Sequence, residues 1–174
     1  MSKSISYFAI EMDAKYYKKY YDKLNTHFQL LTALSILCFI PVWMYVESKS
    51  NGEEVVFISE SIQLKIGLFS VLLTLILVGL WHYQYHRSLK SINVKEALLN
   101  RLNYYKRYFL TLIIKMTALS ILISIVYFFI QADAMIAAYA ILLVLISMNR
   151  LTFQRVARQL KMKGEEKAIF FGEK

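Results

Sequence analysis

The sequence predicts an all-α integral membrane protein in which four transmembrane helices form two tandem helical hairpins. Three observations lead to this prediction. Of the 174 residues, 57% are hydrophobic, whereas an ordinary soluble domain has about 45–50%. Four apolar runs have the approximate length of a membrane-crossing helix, and part of the first run recurs in the third. The single proline and single cysteine, together with this composition, exclude a disordered, collagen-like or disulfide-rich chain.

Residues 1–27 form an amphipathic arm before the first apolar run. Tyr17, Tyr20 and Leu24 follow one another at helical spacing and lead directly into that run. We therefore expect the arm to continue into the first span without a break, and we expect no cleavable signal peptide. The arm's tyrosines are expected to form an interfacial ring with their hydroxyls in water, or an interface for a partner.

The four apolar runs are each expected to form one helix, because backbone groups in lipid must bond within their own segment. The first three are close to the ~20 residues that cross ~30 Å of hydrocarbon. The fourth is shorter and needs neighbouring residues or a locally thinned bilayer. Pro41 lies inside the first run and is expected to kink its helix or open its hydrogen bonding. The runs are 28–46, 62–81, 109–130 and 134–148.

The whole chain, 1–174, is interpreted as one membrane domain. Hairpin one covers residues 28–90, and residues 91–151 hold a linker helix and hairpin two. Asn93 and Glu96 have the spacing of a capping box, so a helix is expected to begin near Val94. The remaining residues, 152–174, are interpreted as a basic cytoplasmic tail.

Charge predicts the orientation. Eighteen of the 21 Lys and Arg residues lie in the arm, in the linker between the second and third runs, or in the C-terminal stretch that begins at Arg150. By the positive-inside bias, both termini and this linker are cytoplasmic, and the expected location is a bacterial inner (plasma) membrane. Topology and anionic lipid headgroups together account for the net charge of +9 without a nucleic-acid partner.

The segment Thr32–Leu37 recurs as Thr117–Leu122, which suggests two parallel repeats related by an axis along the membrane normal. Similar composition could also produce this match by chance. Four hydroxyl residues occupy matching positions in the two segments and are candidates for close helix packing, with a pore-lining face as the alternative. They are Thr32, Ser35, Thr117 and Ser120.

The three histidines are expected at one level near the cytoplasmic interface. His82 and His86 share a helix face, and hairpin packing would bring His27 close to them. The favoured interpretation is interfacial anchoring beside aromatic residues. The alternatives are a divalent metal or haem site, or pH sensing.

Lys115 is the one charge inside a predicted span. An intramembrane charge is a functional candidate, but a lysine at this depth can also extend its ammonium to the headgroup region. We therefore favour snorkelling of Lys115. The alternatives are contact with a lipid headgroup, with an anion or with the lining of a pore. No carboxylate within a predicted span could pair with it, which disfavours proton-coupled transport.

No phosphate-binding glycine loop, zinc-protease motif or nucleophile elbow occurs in the sequence. We therefore expect a non-enzymatic membrane protein without a cofactor, which acts through helix–helix association. It would be a homo-oligomer or an accessory or regulatory subunit of an inner-membrane assembly. Its expected partners are anionic lipid headgroups and a second copy or another membrane protein. An oligomeric pore is the first alternative, and a metal- or haem-binding redox subunit is the second.

Overall fold

The structure, a computed structural model, describes residues 2–50 and 59–171. These residues form helices joined by turns, and each of the four predicted apolar runs lies within one helix. Residues 51–58, in the connection between the first two runs, lie outside the described residues. The helices are α1 (Ser2–Ser50), α2 (Glu60–Lys90), α3 (Leu98–Ile130), α4 (Asp133–Met148), α5 (Phe153–Gln159) and α6 (Glu165–Phe171).

Three helices, α1, α2 and α3, are long and apolar enough to cross a membrane. The fourth span depends on α4, which is followed by α5 after a bend of 79°. At 1.5 Å per residue, the 16 residues of α4 reach only about 24 Å, less than the ~30 Å of hydrocarbon. The described part of the chain is thus all-helical, with three helices, or four if α4 and α5 count as one bent span, that are long and apolar enough to cross a membrane.

Helix α3 lies at the centre of the bundle and contacts α1, α2 and α4. Half of its most apolar window is buried, 50%, against 17% for the corresponding windows of α1 and α2. The bundle is therefore asymmetric, with α1 and α2 largely exposed along their apolar faces.

The expected packing of α1 against α2 as hairpin neighbours is not the arrangement found. Helix α1 makes its main contacts with α3, and α2 makes its main contacts with α4 and α3. The two apolar helices of the first predicted hairpin are instead separated by the second pair. Helix association in lipid depends on local shape and polar contacts, so order along the chain does not determine the neighbours.

Helices α1 and α3 run parallel, because residue numbers increase together along their contact. The rings of Phe28 and Phe109 lie 6.0 Å apart, and further along, Ser35 Oγ lies 2.6 Å from Ser120 Oγ. The two serines are 85 positions apart, which is also the offset of the repeated segment. Equivalent positions of the two similar segments therefore meet each other.

Helices α2 and α4 also run parallel. At one end, a Cβ added to Gly67 would lie 2.7 Å from Cβ of Ala134, so glycine permits this close approach. At the other end, His82 meets Asn149. Gly79 is different, because a Cβ there would have nothing within 4 Å.

Helix α3 begins at Leu98, after Ala97 as its N-cap, and not near Val94. The side chain of Asn93 accepts the backbone N–H of Lys95 at 3.0 Å, and its carbonyl accepts that of Glu96 at 3.2 Å. Asn93 therefore stabilises a turn before the helix, since an asparagine side chain can bond its own backbone two residues on.

Helix α1 continues through Pro41 to Ser50 as one helix, which confirms that the arm and the first span are continuous. Pro41 has no N–H to donate, so the carbonyl of Leu37 loses its usual helical partner. Pro41 is exposed, and the proline interrupts hydrogen bonding without ending the helix.

The segment predicted as a basic tail is folded against the bundle. Within it, α5 and α6 contact each other, and α6 packs on α1. Buried apolar side chains fix this segment in place, including Val156, Leu160 and Phe170. The C-terminal segment and the neighbouring parts of α1, α2 and α3 together are called the basic end. It comprises residues 16–27, 82–90, 98–108 and 149–171.

Candidate functional site

A polar cluster lies at the basic end where α4 stops. Arg155 donates to the carbonyl of Met148 at 2.7 Å and to Oδ1 of Asn149 at 2.8 Å. Thr152 begins α5 by accepting the backbone N–H of Arg155 at 3.2 Å. A guanidinium at the last carbonyls of a helix satisfies unpaired acceptors and complements the helix dipole. The cluster therefore stabilises the sharp bend after α4.

His82 joins this cluster from α2. Its Nε2 lies 3.4 Å from the amide nitrogen of Asn149, which also donates to the carbonyl of Leu145 at 2.8 Å. The other ring nitrogen of His82, Nδ1, is buried and makes no hydrogen bond with the described residues. His82 thus connects α2 to the end of α4.

The histidines do not form the expected group of three. His82 and His86 are neighbours, with ring centroids 5.9 Å apart, whereas Nδ1 of exposed His27 donates to the carbonyl of Lys23 at 2.6 Å. Within the residues that the structure describes, no group of three or more His, Cys, Asp or Glu side chains could hold a metal. Helix α1, which carries His27, makes its main contacts with α3 and not with α2. A role for the His82–His86 pair alone stays a prediction.

The arm's tyrosines are bonded within the protein and do not all point to water. The hydroxyl of Tyr20 donates to the carbonyl of Leu102 at 2.6 Å, and that of Tyr21 donates to the carbonyl of Leu151 at 2.9 Å. Tyr21 also stacks on Phe153 with ring centroids 3.7 Å apart. These tyrosines attach the arm to α3 and to the C-terminal segment of the same chain.

Arg101 is a buried charge that sequence reasoning missed. Its side chain is 0% exposed and donates to the carbonyl of Leu160 at 3.1 Å, and it forms an ion pair with Glu166. Arg101 lies one turn before the buried Tyr105 and two turns before Phe109. The signal in the sequence was a charged residue at helical spacing from the apolar residues Tyr105 and Phe109. A charge in such a position is buried with them and requires a partner.

The four predicted hydroxyl residues lie in or beside the contact between α1 and α3. Ser35 and Ser120 are fully buried and bonded to each other, while Thr117 donates to the carbonyl of Leu31 at 3.4 Å. Thr32 instead donates to Phe28 in its own helix. Three of the four are therefore used where the two helices touch.

A second helix contact involves the α1 backbone. The hydroxyl of Tyr139, from α4, donates to the carbonyl of Ser35 at 3.0 Å, and its ring stacks on Phe39 at 3.7 Å. Sequence reasoning did not identify Tyr139, since an isolated tyrosine in an apolar run has no distinctive spacing.

Lys115 lies at a crevice between α2 and α3. Its ammonium is 3.4 Å from Oε1 of Gln84 and 5.8 Å from the centre of the Trp81 ring. Lys115 is half-buried. The structure thus gives this lysine a polar and an aromatic neighbour from α2.

No protein family, curated protein or solved structure matches this chain.

Proposed function

We propose that this chain is a non-enzymatic integral membrane protein that acts through helix–helix association, as a homo-oligomer or as an accessory or regulatory subunit of an inner-membrane assembly. In this proposal the basic end lies in the cytoplasm, together with both termini. The concentration of Lys and Arg at this end supports the orientation.

One observation carries the proposal, namely the uncovered apolar face of α1. Leu30 is 64% exposed, Leu34 is 43% exposed and Leu37 is 68% exposed. Their spacing of four and three residues is that of a seam along which two helices pack. In lipid, the hydrophobic effect does not favour contact between two helices over contact between a helix and lipid. Association along such a seam therefore depends on how closely the side chains interlock.

Comparison with the similar segment of α3 strengthens this argument. The offset of 85 between Ser35 and Ser120 places Leu30 and Leu34 at the positions of Lys115 and Leu119. In α3 those positions are covered, because Lys115 contacts α2 and Leu119 is only 7% exposed. In α3, therefore, the position that matches Leu34 is buried and the one that matches Leu30 is half-buried, whereas Leu122, which matches Leu37, is exposed. At positions 30 and 34 of α1 a second protein helix can supply the cover that α3 finds within its own chain.

The internal use of hydroxyl groups favours association over a pore. Ser35 and Ser120 bond each other and are fully buried, while Ser124 donates to the carbonyl of Ser120 at 2.8 Å. A water-filled path requires polar groups that face the path. These hydroxyls support tight packing inside one chain instead.

Site-specific photocrosslinking in native membranes tests the proposal. A benzoylphenylalanine replaces Leu37, which is 68% exposed, and a control protein carries it at Leu122, which is 55% exposed. Leu122 is the matching leucine of the repeated segment. We expect discrete adducts from position 37 and far fewer from position 122.

The mass of the adduct separates the two forms of the proposal. A species of twice the 20.4 kDa chain mass that contains only this chain indicates a homo-oligomer, and a reproducible adduct with another membrane protein indicates an accessory subunit. Lipid adducts alone at position 37 would contradict association through this face.

A further inference from the structure

A polar crevice opens between α2 and α3 near the basic end. It has a volume of about 140 Å³ and is lined from α2 by Trp81, Gln84 and Ser88 and from α3 by Tyr108 and Lys115, among others. The two helices run in opposite directions, since α2 runs parallel to α4 and α4 follows α3 after a short turn. The crevice therefore extends from the end of the helix pair into the apolar span.

The lysine in this crevice lacks a negative neighbour. The ammonium of Lys115 contacts an amide oxygen and an aromatic ring, and no Asp or Glu is among the described residues that line the crevice. Neither contact neutralises the charge, and a charge inside a membrane span is costly without a counter-ion. An anion that enters the crevice would supply the missing charge.

The surroundings of Lys115 suit the phosphate of a lipid. Tyr108 and Ser88 also line the crevice, and Tyr108 precedes Lys115 by seven residues, about 10 Å along α3. Next to the crevice, Leu80 and Ile114 are each 52% exposed and offer apolar surface to acyl chains. A phospholipid presents both parts together, whereas a free anion would have to leave water to reach a site beside the hydrocarbon.

We propose that this crevice binds the headgroup phosphate of an anionic phospholipid, with Lys115 as its counter-charge and the acyl chains along α2 and α3. This site is independent of the association face on α1. It requires only that α2 and α3 cross the membrane as a packed pair.

The two tryptophans provide the probe. Trp81 lines the crevice, whereas Trp43 is on α1 and 40% exposed. Purified protein with Trp43→Phe is placed in phosphatidylcholine vesicles that contain a minor fraction of phosphatidylglycerol. Brominated acyl chains are carried either by the phosphatidylglycerol or by an equal fraction of the phosphatidylcholine, and fluorescence quenching of Trp81 is measured.

We expect brominated phosphatidylglycerol to quench Trp81 more strongly than the matched brominated phosphatidylcholine. The apparent preference should fall about fivefold in Lys115→Gln, the factor that corresponds to ~1 kcal/mol per basic residue near an anionic surface. Lys115→Arg should keep most of the preference. The exposed Arg107 is the matched charge control, and Arg107→Gln should have a clearly smaller effect than Lys115→Gln.

Three results would overturn the proposal. The first is equal quenching of Trp81 by the two brominated lipids in the Trp43→Phe protein that retains Lys115. The second is an equal loss in Arg107→Gln and Lys115→Gln, because it would show general attraction to the membrane surface. The third is loss of the preference on addition of inorganic phosphate but not of chloride at the same ionic strength, because the site would then select free phosphate. In a control protein with Trp81→Phe, quenching of the remaining Trp43 should not differ between the two brominated lipids.

Discussion

Arg101 shows at the scale of one residue how the C-terminal segment is attached to the bundle. Its guanidinium is fully buried, donates to the carbonyl of Leu160 and pairs with Glu166, whose side chain is 41% exposed. Its Nε makes no hydrogen bond with the described residues. Glu166 therefore supplies the one negative charge seen at this buried cation, and α6 is held against α3 through it.

Loss of that negative charge should loosen the C-terminal helices. We expect Glu166→Gln to lower the free energy of unfolding by about 1 kcal/mol, because a charged hydrogen bond becomes a neutral one and the partial exposure of Glu166 screens the pair. Hydrogen exchange of residues 153–171 should increase. Lys163→Gln, an exposed change in the same segment, serves as control, and unchanged exchange in Glu166→Gln would contradict this role of the ion pair.

The hydroxyl contact between Ser35 and Ser120 allows a double-mutant cycle. We expect the two Ser→Ala changes to show a coupling energy of about 0.6 kcal/mol in reversible unfolding, the average for hydrogen bonds between membrane helices. Ser70, which donates to Ile66 in its own helix at 2.8 Å, provides the comparison. Strict additivity of the changes at positions 35 and 120 would be inconsistent with their contact.

Sequence reasoning reached some residues of the site and not others. Ser35 and Ser120 could be identified because they repeat at matching positions, and the structure brings their hydroxyls together. Asn149 and Arg155 could not, because their roles depend on the bend after α4, which no local pattern specifies. The bonding of Tyr20 to the backbone of α3 was equally hidden, since an interfacial tyrosine has the same spacing whether its hydroxyl meets water or a carbonyl.

At the scale of elements, apolar length and helical spacing predicted the helices well and their ends less well. The four apolar runs lie within α1 to α4, because a backbone in lipid must satisfy its own hydrogen bonds. The start of α3 was predicted too early, since Asn93 can cap a helix or stabilise a turn with the same side chain. The folding of α5 and α6 was missed, because their charged sequence resembles a solvated tail.

The two glycines of α2 give a test of its packing on α4. We expect Gly67→Ala to destabilise the protein by about 1–3 kcal/mol, because the new Cβ would lie 2.7 Å from Cβ of Ala134 and overpack the contact. Gly79→Ala, with nothing within 4 Å, should be neutral or stabilising by up to about 1 kcal/mol. Unfolding in mild detergent measures both, and equal effects would argue against the close approach of α2 and α4.

At the scale of the whole molecule, the pairing of helices distinguishes this structure from the one expected. Helices α1 and α3 share a six-residue segment, and the two helices meet in parallel at matching positions of it. Yet α3 is half-buried at the centre and α1 is mostly exposed. An apolar pattern predicts which helices enter lipid but not which helices touch, because lipid and leucine are equally apolar. The exposed face of α1 follows from this asymmetry.

The orientation of the basic end rests on the same arrangement. If α3 and α4 both cross the membrane, their connection at Asp133 lies opposite the loop at Lys95 and the segment at Lys163. Helix α4 is the shortest of the four, since its 16 residues reach about 24 Å. All three positions are exposed, so each can be probed without disturbing the core.

Cysteine accessibility at these positions tests most directly the claim that the chain crosses the membrane with its basic end in the cytoplasm. Single cysteines replace Asp133, Lys95 and Lys163 in a Cys38→Ser background, and intact spheroplasts are treated with an impermeant thiol reagent. We predict labelling at position 133 alone, with positions 95 and 163 labelled only after the membrane is opened. Labelling of position 95 from outside, with position 133 protected, would indicate the opposite orientation. Protection of all three positions would show that α3 and α4 do not cross the membrane as proposed.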